Sequence, residues 1–250
     1  MIKTIFNHRS IRKFKPEPIP GEILQEILLA GTRASTTGNM QAYSMIVTSD
    51  FSLKEKLWEA HFKQDMVKHA PVIVTFCADF NRFNKWCTLN KAFPGYDNFL
   101  SFMAAAIDAI LVAQNVALAA EDHGLGICYL GTTTYNAEKI IEILQIPKGV
   151  VPITAFPIGY PDETPGLTDR LSLNAVVHYE KYNDYFDDVI KKLYEEKENM
   201  SFYKDLLKIN KKETLSQVFT DIRYTKKDNV FFSKSFLNVL KNQGFMNNEI

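Results

Sequence analysis

An α/β or α+β sandwich is the fold class that residues 21–178 predict. Three observations carry it. Apolar, β-branched runs at 43–49, 71–78, 124–131 and 150–161 read as strands; stretches of helical apolar spacing lie at 21–31, 52–61, 99–120 and 137–145; and the two kinds interleave. The composition agrees, since 46% hydrophobic and 23% charged residues suit a chain with a sizeable core and exclude disorder as its main state. Eleven glycines and ten prolines are too few for a long flexible linker or a many-turned β-sandwich.

The chain opens on MIKTIFNHRSIRKF, which is cationic and lacks the continuous apolar stretch of a signal peptide. Pro18 and Pro20 precede GEILQEILLAG, where Ile23, Leu24, Ile27 and Leu28 fall on one helical face and Gly31 offers a stop. TRASTTGNMQAY is dense in turn formers and reads as a loop into the strand YSMIVTS. SLKEKLWEAH has helical spacing, and PVIVTFCA behind its proline has the pattern of a strand covered on both faces. Residues 80–97 are aromatic and irregular, the character of a lid or substrate loop. Phe99 to Ala120 is long enough to span a bilayer, but Asp108 near its middle would be costly in lipid. Its alanines fit a helix buried inside the protein or between subunits. GLGICYLG supplies a helix stop and a third strand, Asn136 is placed to cap AEKIIEILQ, and VVPITAFPIGYP is a fourth strand. Beyond residue 178 charges dominate and no strand pattern returns, so this part reads as peripheral helix, closing on FFSKSFLNVLKNQGF with a stop near Gly244.

Twenty-nine basic and 29 acidic residues cancel, so bulk charge points to neither nucleic acid nor an anionic membrane. The three cysteines, Cys77, Cys87 and Cys128, are odd in number and far apart, which favours buried thiols in a reducing compartment; a cytoplasmic location is expected. There is no CxxC and no HxxxH, so no metal site is expected. GLGICYLG does not fit GxGxxG, and neither a P-loop nor GxSxG occurs.

Two segments carry chemistry. His8, Ser10 and Arg12 lie at period two and project to one side of an extended strand, an array suited to phosphate oxygens because charge-assisted bonds to a dianion are strong. The same residues also fit a solvated basic N-terminus, and the spacing leaves both open. In STTGNMQ the hydroxyls and the amides of Asn39 and Gln41 can read the edge of a heterocycle, or simply make a turn.

HRSIRKF, STTGNMQ, QDMVKHAPVIVTFCADFNR, GLGICYLGTTTYN and PIGYPDETPGLTDRL occur in a telling order. With these five motifs and the QGF ending, the chain resembles the nitroreductase family of FMN-dependent oxidoreductases along essentially its whole length. It is most similar to the larger branch of nitro and flavin reductases that prefer NADPH. The resemblance implies an α+β, three-layer sandwich with a central, mainly antiparallel sheet flanked by helices. It also implies an intertwined homodimer with FMN at the subunit interface. Residues 1–178 would form the FMN-binding core, and residues 179–250 a helical C-terminal extension of the same domain that wraps the partner.

Carried over by position, the resemblance assigns His8, Arg9 and Ser10 to the phosphate and ribityl chain and Arg12 to the pyrimidine edge. A guanidinium there would stabilise the negative charge that reduction places near N1 and O2, and so raise the potential. Ser35, Thr36, Asn39 and Gln41 match a flavin-contacting loop, and Gln64 an amide near the ring edge. Tyr129, Leu130 and Gly131 match the backbone on the other face, and Arg170 a distal phosphate contact. Thr168, followed by Asp169, stands where the branch usually has a lysine. For NADPH, Lys211, Lys212 and Arg223 are the candidates within a basic stretch that a 2′-phosphate requires. The implied activity is hydride transfer from NAD(P)H through flavin N5 to nitroaromatics, quinones or free flavin, with no catalytic side-chain acid or base. The alternative is a flavin-binding redox sensor or binding protein with little turnover.

Overall fold

The structure, a computed structural model, describes residues 2–247. It divides into two compact units, one of residues up to Gly166 together with those from Phe232 onward, the other of Leu167–Phe231.

In the first unit the chain runs through α1 (Lys3–Phe6), α2 (Gly21–Gly31), β1 (Tyr43–Thr48), α3 (Phe51–Ala60), α4 (Asp65–His69), β2 (Val72–Asp79) and α5 (Asn81–Leu89). It continues through α6 (Phe99–Asp122), β3 (Gly126–Ile127), α7 (Ala137–Ile143) and β4 (Val150–Gly159). The sheet order is β1-β2-β4-β3 and every pairing is antiparallel, which decides for α+β. All of β2 is buried, as its unbroken apolar run requires of a central strand. Its side chains alternate: Ile73 and Cys77 join Leu57, Val67 and Ile140 from α3, α4 and α7, while Val74 and Phe76 join Ile27, Val112 and Val116 from α2 and α6. Helices thus cover both faces, and each of these large apolar side chains contributes about 1.5–3 kcal/mol by leaving water. Pro152 of β4 lies opposite Cys77, next to a slip in register between Phe76 and Cys77. A proline brings no N–H to the ladder, and an irregularity is where a strand tolerates one.

Helix α6 is long and apolar enough to cross a membrane, yet half of its most apolar window is buried against the rest of the chain. Ala109, Val112, Ala113, Val116 and Ala117 form its inner face. Gly31 of α2 fits there closely, for a Cβ at that position would stand 2.5 Å from a Val116 methyl. The opposite face leaves Leu100, Met103, Ile107, Ile110 and Leu111 exposed at helical spacing.

Three local expectations differ. Residues 81–89 form α5 and are not irregular, because Cys87 is buried and Phe80 stacks on Tyr96 with parallel rings 4.7 Å apart. The third strand is only two residues long, although its path continues, with Leu130 N donating to Ala155 O at 2.8 Å. Asn136 stands at the N-cap of α7 but its side chain does not cap; it donates to Ala60 O at 2.6 Å and ties α7 to the end of α3.

The second unit holds α8 (Asp187–Asn199), α9 (Ser201–Asn210) and α10 (Leu215–Gln217), then a π-type turn at Val218–Arg223. A capping box between Thr214 and Gln217 starts α10. The last helix, α11 (Lys226–Gln243), belongs from Phe232 onward to the first unit, and Gly244 ends it at φ +87°. The QGF ending is structural: the Gln243 amide donates to Pro147 O and Val150 O, and Phe245 is buried against Phe102.

Candidate functional site

The basic segment at the start of the chain is annealed to the sheet. Ser10 bridges Ile127 in parallel, Ile11 N donates to Ile127 O at 2.9 Å, and Phe14 bridges Pro161, so residues 10–14 extend the sheet beyond β3. Ile11 and Phe14 are buried, and Gly126 permits the approach, since a Cβ there would lie 2.5 Å from Ile11 Cγ1. Ser10 and Arg12 both act on the thiol of Cys128, whose pKa burial raises and these two neighbours lower. The backbone N–H groups of Arg12 and Lys13 donate to Glu163 at 2.5 and 3.1 Å, while the Arg12 guanidinium has only a 3.5 Å contact to Ser10 O. Arg9 Nε is buried with no partner among the described residues. Two guanidinium groups with unmade hydrogen bonds fit an anionic ligand. His8 differs from expectation in one respect: its Nδ1 lies 2.5 Å from Glu121, whose pKa is raised by burial against the opposing pull of His8. A cavity of about 400 Å³ borders Arg9 and is lined also by Lys3, Glu121, Asp122 and Glu163; its carboxylates outnumber its cations, so it is no phosphate site by itself.

Past β3 the chain carries Tyr129, Leu130 and Gly131 alongside β4. The Tyr129 hydroxyl donates to Gln114 at 3.4 Å, burial raises its pKa, and its ring packs edge-on to Phe156. A Cβ at Gly131 would meet nothing within 4 Å, so the backbone there borders open space. Gln64 is brought to the same stretch, its Nε2 donating to Thr132 Oγ1 at 3.3 Å and to His61 O at 3.1 Å. The turn that presents Gln64 is strained: Phe62 and Lys63 have φ of +54° and +57°, a region that costs a side-chain-bearing residue roughly 1–2 kcal/mol. Below it lies His61, fully buried, with Nδ1 2.8 Å from Thr132 Oγ1 and Nε2 without a partner among the described residues. Burial pushes its pKa down from 6.5 to about 4.

Ser35, Thr36, Asn39 and Gln41 belong to a different place. Their loop, which includes a short turn at Thr37–Asn39, leads into β1, the other edge of the sheet. From Tyr43, through Ala78 and Val151, to Ile158 and Ile127, the paired positions are three strands apart and seven residues along. That is roughly 14 Å across and about 23 Å lengthwise. One chain therefore does not gather these two sets around one ring. The loop is fixed by Asp108 of α6, 1% exposed, whose carboxylate accepts from Thr37 N at 2.9 Å, Thr37 Oγ1 at 3.3 Å and Ala42 N at 3.2 Å. Asp108 and His61 are the side chains that sequence reasoning missed beneath the candidate residues, Asp108 under the loop to β1 and His61 beside Gln64. An acid inside an apolar helix was the available signal for the first; a lone histidine gave none for the second.

Arg170, Lys211, Lys212 and Arg223 all lie in the second unit. Arg170 Nη1 donates to the carbonyls of Thr168 and Asp169, and the Asp169 carboxylate is held by Lys197 and Tyr203, both at 2.6 Å. Lys212 pairs with Asp221 at 2.8 Å, Arg223 lies over the Phe219 ring, and Lys211 caps α9 in the left-handed region. Among the described residues no cluster of His, Cys, Asp and Glu could hold a metal ion.

Comparison with known proteins agrees with this architecture. An FMN reductase (NADPH) of Bacillus subtilis (strain 168) is 36% identical over 189 residues, 75% of this chain and 76% of its own length. A crystal structure from Bacteroides fragilis NCTC 9343, 51% identical, covers 98% of this chain and 100% of its own with a TM-score of 0.96. NfrA1 nitroreductase from B. subtilis, 32% identical, covers 98% of each chain with a TM-score of 0.87. The model of the nitroreductase family matches residues 5–160, and the chain belongs to that family.

Proposed function

We propose that this protein is an FMN-dependent NADPH oxidoreductase of the flavin- and nitro-reducing kind. The observation that carries the reading is the pairing of Ser10 and Ile11 with Ile127, which brings Ser10 and Arg12 to Cys128, three residues ahead of the open backbone at Gly131, while Arg9 Nε has no partner among the described residues. The guanidinium groups of Arg9 and Arg12 retain hydrogen-bonding capacity for an anion, and the backbone at Gly131 leaves room for a planar ring. The chemistry that the cofactor supplies when bound is acceptance of hydride at N5 from a reduced nicotinamide and delivery of the electron pair to a nitroaromatic, quinone or flavin.

The chain's own residues position and polarise. His8, Arg9 and Ser10 hold the phosphate and ribityl chain, with Arg170 as the distal phosphate contact. Arg12 stabilises negative charge on the pyrimidine side, and Tyr129, Leu130 and Gly131 border one face of the ring. Gln64 presents an amide to the ring edge. Ser35, Thr36, Asn39 and Gln41 come from a second copy of the chain, because within one copy they stand at the far edge of the sheet. The exposed apolar row of α6 from Leu100 to Leu111 is the surface that a homodimer covers, and residues 179–250 wrap the partner. Lys211, Lys212 and Arg223 receive the 2′-phosphate of NADPH.

The test is direct. The purified protein, supplied with FMN, should turn yellow and be bleached by anaerobic NADPH faster than by NADH. A protein that retains no flavin overturns the reading, and a yellow one that neither nicotinamide bleaches leaves a flavin-binding sensor in its place.

A further inference from the structure

The amide of Gln64 has only one way round. Its nitrogen faces His61 O, a carbonyl that can only accept, so both N–H groups are spent on His61 O and Thr132 Oγ1, and Oε1 is the amide atom left to accept from a ligand. What fixes Thr132 is in turn His61, whose Nδ1 holds its hydroxyl at 2.8 Å. His61 serves no core-packing purpose that an apolar residue would not serve better. It is completely buried, and its second ring nitrogen has no partner among the described residues, an arrangement that costs stability. The two left-handed residues between His61 and Gln64 add strain at the same spot. Stability given up twice within four residues, at the edge of a ligand site, indicates a geometry kept for what it presents.

Resting on the FMN reading above, we propose that His61 is a positioning residue: through Thr132 it locks the Gln64 amide with Oε1 outward, to accept a hydrogen bond from a ring N–H of the flavin. His61 itself touches no ligand in this scheme. A neutral imidazole suits the role, since it shares one proton with the hydroxyl and brings no charge beneath the ring.

The test is a double-mutant cycle on the full-length protein, read by FMN dissociation constants from fluorescence titration. His61→Leu and Thr132→Val should each weaken FMN binding about tenfold, the loss of one well-placed hydrogen bond. His61→Asn, which keeps a polar atom near the position of Nδ1, should recover most of that loss. In a Gln64→Ala background His61→Leu should have no further effect, because the group it positions is gone. If the effects of His61→Leu and Gln64→Ala multiply, or if His61→Asn binds as poorly as His61→Leu while both melt like the parent, His61 does not act through Gln64. Parent protein that binds no FMN overturns the cofactor reading, and this proposal with it; parent protein that binds FMN but shows independent effects overturns this proposal alone.

Discussion

Arg12 joins two properties at the residue level: a main chain fixed by Glu163 and a guanidinium with no strong partner among the described residues. Removing that guanidinium should barely affect folding, by about 0.5 kcal/mol or less, as for other exposed positions. Arg12→Ala should instead weaken FMN binding about ten- to a hundredfold, the range for a charge-assisted hydrogen bond, and lower the flavin midpoint potential. Thermal melts and anaerobic potentiometry separate the two effects. His61 makes a prediction of opposite character. Its folded pKa lies near 4 and its ordinary value at 6.5, so between these the unfolded chain binds a proton that the folded chain refuses. Stability attributable to His61 is therefore intact well above pH 6.5 and falls as the pH drops towards 4, by roughly 1.5 kcal/mol between pH 6.5 and 5. Unfolding free energies of wild type and His61→Asn, from denaturant titration, should diverge by about that much in this interval. Parallel pH curves would mean that His61 titrates normally.

The N-terminal segment is the element on which the site depends, and a glycine admits it. Gly126→Ala places a methyl 2.5 Å from Ile11 Cγ1 and 2.7 Å from Ile11 Cβ, at the branch point of a side chain buried to 6% exposure. The clash should cost about 1–3 kcal/mol and push residues 10–14 off the sheet edge. Hydrogen exchange at Ile11 N should then speed up and FMN uptake fall, while protection along the central strand β2 persists. Loss of protection in both at once would show that the edge does not open separately. The loop from Ser35 to Gln41 rests on Asp108 in a comparable way. Sequence pattern identifies that loop and that helix, but a carboxylate spaced 66 to 71 residues from its donors can be matched to them only in three dimensions.

For the whole molecule, the proposed cofactor site needs two chains, because its two sets of candidate contacts lie at opposite edges of the sheet. A charge in the exposed row of α6, Ile107→Glu or Leu111→Glu, should give a monomer by sedimentation that also fails to take up FMN. Complementation is more discriminating. Arg12→Ala and Gln41→Ala chains, each impaired alone, should recover FMN binding when co-expressed, because one site of the mixed dimer combines the intact Arg12 of one chain with the intact Gln41 of the other. No recovery would place both residues in the same chain's site.

The sequence alone determined the run of elements, the buried central strand, the core helix with an acid near its middle, and, through five ordered motifs, the family. These are local or contiguous properties: apolar period, strand composition, spacing within a motif. Tertiary structure alone decided three other matters. The choice between α/β and α+β waited on strand pairing, because neither a strand's direction nor its neighbours is written in its own residues. The division of the candidate flavin contacts into two sets at opposite sheet edges waited on the order β1-β2-β4-β3. The pairing of His61 with Thr132, 71 residues away, waited on folding, since a hydrogen bond joins what folding brings together and leaves no trace in sequence spacing.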